Sequence, residues 1–195
     1  MSKLEFGAPG IPDHFFERGQ VPMTKEEIRI LTLAKAQLKK NSIVYDVGAG
    51  TGSISVEAAL LVPEGQVFAV EKKPAGVVLI RRNRDRFSLK NLHVVEGSAP
   101  EALHTLPKAD RIIIGGTGGQ LLTILDTCHS KLTRDGIIVL NAITLDTLWH
   151  GIARLEELGY KLDIAAVNIA KLLPLGSTKA FQSNNPVYII RGVKR

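Results

Sequence analysis

The run Val44, Tyr45, Asp46, Val47, Gly48, Ala49, Gly50, Thr51, Gly52 constrains this chain more than any other. An apolar strand leads straight into glycines at alternate positions and then into an apolar helix over residues 53–61. A backbone that turns sharply from strand to helix with a ligand lying on it has no room for Cβ atoms, so the pattern builds a nucleotide-sized notch. The spacing departs from the dinucleotide fingerprint G-x-G-x-x-G, because the third glycine arrives one residue early and Ser53 stands where Gly or Ala is wanted. NAD is therefore disfavoured. Asp46, just ahead of the first glycine, suits a ligand with an ammonium and a sulfonium and no pyrophosphate, since a cation is held by a carboxylate and not by a bare helix N-terminus. S-adenosylmethionine (SAM) is such a ligand.

A second strand-like run ends in Glu71, about 20 residues after the glycines, where ribose-binding acids fall in such folds. Its carboxylate can accept from both ribose hydroxyls. A strand ending in a solvated Glu is the plain alternative, and the glycine turn upstream favours the ribose.

At 195 residues with 45% hydrophobic content, the chain is long enough for one sizeable core. No Pro/Gly/Ser-rich linker divides it, so a single domain over residues 1–195 is expected. The net charge of +6 and pI near 9.5 favour anionic partners, whether nucleic acid, acidic membrane or a polycarboxylate, without choosing among them. Cys128 is the only cysteine, which rules out an intrachain disulfide framework or a cysteine-based zinc site and fits a reducing cytoplasm. Residues 1–12 carry no long apolar run and no apolar stretch reaches about 18 residues, so neither a signal peptide nor a membrane span is expected. His14, His93, His104, His129 and His150 show no metal-ligand spacing, and no protein-bound metal is expected. His14 alone sits in a segment that could lie over a site.

Short β-rich runs alternate with helical ones, as in a doubly wound α/β fold. Strands are expected at 43–47, 67–71, 93–96, 111–114 and 137–140, with helices at 53–61, 74–87, 120–131 and 144–158. Residues 161–170 and 187–191 then read as strands with no room for a crossover helix, so they should pair antiparallel. A Rossmann-like, seven-stranded, mainly parallel sheet with an antiparallel terminal pair follows, the fold of class I SAM-dependent methyltransferases. Ahead of it, Thr24, Lys25, Glu26 and Glu27 spell a capping box, opening a helix of about four turns whose apolar face carries Ile28, Leu31 and Leu38. Residues 1–40 would cover the cleft. Trp149 and His150 read as core and edge of the last crossover helix.

The runs Gly10-Ile11-Pro12-Asp13, Pro22-Met23-Thr24-Lys25-Glu26-Glu27-Ile28-Arg29, Glu96-Gly97-Ser98-Ala99-Pro100-Glu101-Ala102-Leu103 and Ile114-Gly115-Gly116-Thr117-Gly118-Gly119 join the glycine turn in one pattern. Together they resemble the decarboxylating cobalt-precorrin-6B methyltransferases of anaerobic cobalamin synthesis, similar to the C-terminal half of the bifunctional precorrin-6Y methyltransferase. The resemblance implies methyl transfer from SAM to carbon 15 of an anionic corrinoid and loss of carbon dioxide from the carbon 12 acetate, giving cobalt-precorrin-7. It implies SAM contacts from Thr24, Gly48, Ala49, Gly50, Thr51, Gly52, Glu71 and Ala99, and a homotetramer. Ser98 stands where many SAM enzymes carry an acid beside the adenine.

Gly116, Thr117 and Gly118 follow the fourth strand at the carboxyl edge of the sheet, where a flat macrocycle could approach the backbone; a tight turn is the other reading. Asn141 ends the fifth strand on the same rim and either orients substrate or forms a turn. Arg18, Lys25, Arg29, Lys171 and Lys179 could meet substrate carboxylates, or be ordinary solvated charges. The run Arg81, Arg82, Asn83, Arg84, Asp85, Arg86 reads as a solvated face. An RNA methyltransferase is the enzymatic rival, though Gly115-Gly116-Thr117 is not a proline-aromatic base-stacking motif. Another small-molecule methyltransferase or a non-catalytic SAM-binding module is also open. Neither nucleic acid nor membrane is expected as a partner.

Overall fold

A computed structural model describes residues 8–195, so the reading of residues 1–7 as free of a signal sequence lies outside the described residues. The chain order is α1 (Glu26–Ala36), β1 (Ile43–Val47), α2 (Ser53–Leu61), β2 (Gln66–Glu71), α3 (Pro74–Arg86), β3 (Leu92–Glu96), β4 (Ala109–Ile114), α4 (Leu121–Lys131), β5 (Leu132–Ala142), α5 (Leu145–Glu157), β6 (Lys161–Val167), β7 (Ala170–Leu175), β8 (Thr178–Ser183) and β9 (Val187–Val193). Seven strands form one sheet in the order β3-β2-β1-β4-β5-β9-β6. Only β9 runs against its neighbours, paired antiparallel to β5 and to β6. This is the expected class I SAM methyltransferase sheet.

Strand alternation fills both faces. In β4 and β5, Ile113 and Val139 join the core under α1 and α2, while Ile112, Ile114, Ile138 and Leu140 join the core under α4 and α5. Strands buried on both faces read as continuous β-branched runs, which is why Ile112-Ile113-Ile114 was legible as a central strand. The order reverses between β1 and β4, and their carboxyl ends part there to leave a crevice.

Four expectations are corrected. The helix α1 has 11 residues and ends at Gln37, which is left-handed at φ 49°, so Leu38 lies beyond it. Leu31 is exposed, and the buried face is Ile28, Arg29, Thr32, Leu33 and Ala36. The capping box does not form: Lys25 occupies the N-cap with no side-chain bond, and the Thr24 carbonyl accepts instead from Arg29. The strand expected over 161–170 breaks after Val167, and β7 and β8 pair as a separate two-stranded hairpin. Pro174 and Gly176 are residues that mark loops locally, and no strand is expected from the sequence between residues 170 and 187. Trp149 is 74% exposed, not core.

Candidate functional site

A cleft of about 540 Å³ opens at the carboxyl ends of β1, β2 and β4, within the range of small-ligand sites. Its floor is the glycine turn. Gly48 has φ +72°, and a Cβ added there would lie 2.5 Å from the Gly116 carbonyl oxygen and 2.7 Å from Gly116 Cα. The turn after β1 and the loop after β4 thus touch backbone to backbone, which no side chain would permit. Gly50 is held from the side by Glu71, whose Oε2 accepts from the Gly50 amide at 2.9 Å while Oε1 accepts from the Lys73 amide at 2.8 Å. A carboxylate has about four acceptor directions, so two remain on Glu71 for a ligand.

Asp46 lines the same floor and is 1% exposed. Its Oδ2 accepts from Ser55 Oγ, while Oδ1 has no partner in the protein. Burial pushes its carboxyl up to about 6, with the Ser55 hydrogen bond lowering it and the Glu71 charge adding to the rise. An orphaned buried carboxylate oxygen beside a cleft is a place for a positive ligand group.

Thr24, Gly48, Ala49, Gly50, Glu71, Ser98 and Ala99 all line this cleft, as do Gly116, Thr117, Gly118 and Asn141 on its far rim. Thr51 and Gly52 lie behind it: the Thr51 carbonyl accepts from Asn83, and a Cβ on Gly52 would meet Ile80 at 3.0 Å. Asn141 is no turn former here, since its Nδ2 donates to Thr32 Oγ1 at 3.0 Å, fixing it between β5 and α1.

The expected cations divide. Lys25 lines the cleft. Arg29 does not face it: the guanidinium is fully buried, bonded to Glu57, Asp13 and two carbonyls, because the neighbouring helix α2 presents a buried acid. Lys171 does not line the cleft and is paired at 2.6 Å to Glu27, which does. Burial would raise Glu27, yet the hydrogen bond from Lys171 holds it below its ordinary value. Arg18, Lys179 and His14 do not line the cleft, and the His14 ring instead packs at a tilt against Phe15. In the 81–86 run, Arg81, Arg84 and Arg86 pair with surface acids, but Asn83 is fully buried.

Lys72 and Lys73 line the cleft and were not anticipated. A Cβ on Gly118 would lie 2.5 Å from Lys72 Nζ, so this ammonium rests against the loop after β4. Their position directly after Glu71 was the available signal. Among the described residues no group of three or more His, Cys, Asp or Glu is arranged to hold a metal ion, and no helix is long and apolar enough to cross a membrane.

The sequence profile of the precorrin methyltransferase domain matches residues 13–194. The chain is similar to a Sulfolobus acidocaldarius protein designated "Probable cobalt-precorrin-6B C(15)-methyltransferase (decarboxylating)", 45% identical over 96% of this chain and 98% of that one. It is 41% identical to the cobalt-precorrin-6B C(15)-methyltransferase (decarboxylating) of Salmonella typhimurium, over 91% of this chain and 93% of that protein. The crystal structure of precorrin-6Y C5,15-methyltransferase from Geobacter metallireducens superposes with a TM-score of 0.91 at 43% identity, covering 97% of this chain and 100% of that one. The match therefore runs through the residues before α1, the glycine turn and the loop after β4 alike, and the chain belongs to the precorrin methyltransferase family.

Proposed function

We propose that this protein methylates carbon 15 of cobalt-precorrin-6B at the expense of SAM and removes carbon dioxide from the carbon 12 acetate side chain, giving cobalt-precorrin-7 in cobalamin biosynthesis. The observation that carries this reading is the backbone contact of Gly48 with Gly116, which sets a donor notch directly against an open, glycine-rich acceptor rim. The residues present fit SAM. Asp46 offers an unpartnered carboxylate oxygen to a cation, and Glu71 keeps two acceptor directions for ribose hydroxyls. Thr24 and Asp46 would hold the methionine end, Gly48, Ala49 and Gly50 the middle, and Ser98 and Ala99 the adenine side; Thr51 and Gly52 shape the turn from behind. Bound SAM supplies an electrophilic methyl group on a positively charged sulfur.

The work left to the chain is positioning. An electron-rich ring carbon needs little help from a general base, so alignment supplies most of the rate. Gly116, Thr117, Gly118 and Asn141 would seat the macrocycle, with Lys25, Lys72 and Lys73 meeting its peripheral carboxylates at the cleft mouth. For decarboxylation, the half-buried Val167, Ile169 and Val187 would present an apolar wall to the acetate. The electron pair of the broken bond passes into the conjugated ring, and a proton completes the new methyl group.

The same reading takes the chain as one methyltransferase domain over residues 1–195, with residues 1–40 over the cleft, no resident metal, and neither nucleic acid nor membrane as partner. It places the enzyme in the cytoplasm as a homotetramer. Exposed Leu172, Leu175 and Phe181 on the hairpin, and Leu145 and Trp149 on α5, support association with further copies, which light scattering would read directly.

The deciding experiment is anaerobic incubation with cobalt-precorrin-6B and SAM, followed by mass spectrometry. A product that has gained one methyl and lost one carboxyl is expected. No mass change from folded, SAM-binding protein would refute the reading and favour a non-catalytic SAM module. Salt-sensitive RNA binding with methyl transfer to RNA would favour the nucleic-acid rival.

A further inference from the structure

Arg29, Glu57 and Asn83 are polar, lie on three different helices, and have no exposed surface. All three bind one segment, the irregular strap of residues 10–24 that precedes α1. Glu57 grips its start: Oε2 accepts from the Gly10 amide at 2.8 Å, and Oε1 from the Ile11 amide at 3.1 Å and from Arg29 Nε at 2.5 Å. Asn83 grips its middle, accepting from the Glu17 amide at 2.7 Å and donating to the Glu17 carbonyl at 3.2 Å. Arg29 grips its end, donating from Nη1 to the Thr24 carbonyl at 2.7 Å and to Asp13 at 3.1 Å, and from Nη2 to the Ile11 carbonyl.

The far end of this strap is a wall of the cleft. Val21, Pro22, Met23 and Thr24 line it, and a Cβ on Gly50 would come within 3.1 Å of the Pro22 carbonyl oxygen. The strap thus lies directly over the glycine turn. Asn83 ties the two together, because the Nδ2 that holds Glu17 also donates to the Thr51 carbonyl at 2.9 Å. None of the three side chains lines the cleft.

Burying three polar groups is a poor way to stabilise a fold, since apolar residues of similar volume generally serve as well or better. Fully satisfied buried networks fix one geometry. Here every bond outside the Arg29–Glu57 pair and the Arg29–Asp13 pair ends on backbone of the strap or of the glycine turn, and the strap has no sheet pairing or long helix of its own to hold it. We propose that Arg29, Glu57 and Asn83 are positioning residues for the methyl donor: a buried clasp that sets the strap over the glycine turn and thereby the affinity for SAM, without touching it. The proposal rests on SAM as the ligand.

The test uses the full chain. SAM is titrated calorimetrically into wild type, Glu57→Gln, Asn83→Leu and, as a control on the opposite face of the sheet, Leu155→Ala, at a temperature where circular dichroism shows each folded. Glu57→Gln and Asn83→Leu should bind SAM at least tenfold more weakly, with the KM for SAM rising and kcat held. Leu155→Ala should lose as much thermal stability and bind as wild type does. In wild type alone, saturating SAM should slow hydrogen exchange at the Gly10, Ile11 and Glu17 amides, which tests the clasp even if a variant misfolds. SAM affinity within twofold of wild type in both clasp variants, equal weakening in Leu155→Ala, or exchange at those amides unaltered by SAM would each overturn the proposal. A wild-type protein that binds no SAM would instead remove the cofactor reading, and the clasp with it.

Discussion

Replacing Asp46 by Asn should make the ligand-free protein more stable and its grip on SAM weaker. Burial raises the Asp46 carboxyl from 3.8 to about 6, a displacement of about two pH units. At roughly 1.36 kcal/mol per unit, the ionised carboxylate costs the folded state on the order of 3 kcal/mol at pH 7. The sign follows from linkage. Between its unfolded value and about 6 the folded state holds the proton more tightly, so this cost is absent below pH 3.8, grows through the window and is complete above about 6. Asn keeps the shape and can still meet Ser55, but carries no charge. Urea unfolding of the variant and wild type, run in parallel from pH 4 to 7.5, should therefore give a difference in favour of the variant that rises with pH towards roughly 3 kcal/mol and shrinks to below about 1 kcal/mol at pH 4. SAM binding should go the other way, because a cation arriving at the orphaned Oδ1 relieves the same cost. The variant should lose tenfold or more in affinity, and only the wild type should weaken as pH falls below about 6. A variant no more stable than wild type at pH 7, or one that binds SAM as tightly with the same pH profile, would refute the reasoning.

Glu71→Ala removes two acceptors that the ligand would use and two that hold the Gly50 and Lys73 amides, so SAM affinity should fall by about 1–3 kcal/mol in calorimetry. Gly48→Ala drives a Cβ into fixed backbone at Gly116, whereas Gly119→Ala meets nothing within 4 Å and bears only its positive φ of 89°. Thermal melts should then show a loss of several degrees, of order 5–10 °C, for the first and a small one for the second; equal losses would mean the two loops do not touch. Thr117→Val should leave SAM titrations unchanged while lowering kcat/KM for the corrinoid, and parallel losses in both would make the loop after β4 purely structural.

The parts of this protein that were legible in the sequence are those whose cause is local. The glycine turn, the strand of three consecutive isoleucines and the carboxylate ending β2 each declare themselves within a few residues. Arg29 was misread as a surface cation because its partner lies 28 positions away, and the signal was the lone acid Glu57 inside the otherwise apolar helix Ser53–Leu61. Thr24 failed as a cap for the same reason, since the buried guanidinium claims its carbonyl. The hairpin β7–β8 was hidden by Pro174 and Gly176, which mark loops locally, although its strands pair across a tight turn between Leu175 and Thr178. Trp149 was taken for core because a helical stripe does not say which element, or which other molecule, covers it.

The meeting of Gly48 and Gly116 has a consequence for how such enzymes can diversify. At this joint Gly48 cannot gain a side chain, because its Cβ would enter the Gly116 backbone, whereas a Cβ on Gly116 would meet Gly48 only at an ordinary contact distance of 3.7 Å. A lineage adapting to a new acceptor would find Gly48 closed to change for as long as the loop after β4 keeps its place. The freedom lies at the opposite margin, in Val167, Ile169 and the hairpin that follows, where residues lining the cleft are attached to an element that makes no such contact. The donor turn is therefore held to glycine by the acceptor loop at one edge of the cleft, and selectivity is free to drift at the other.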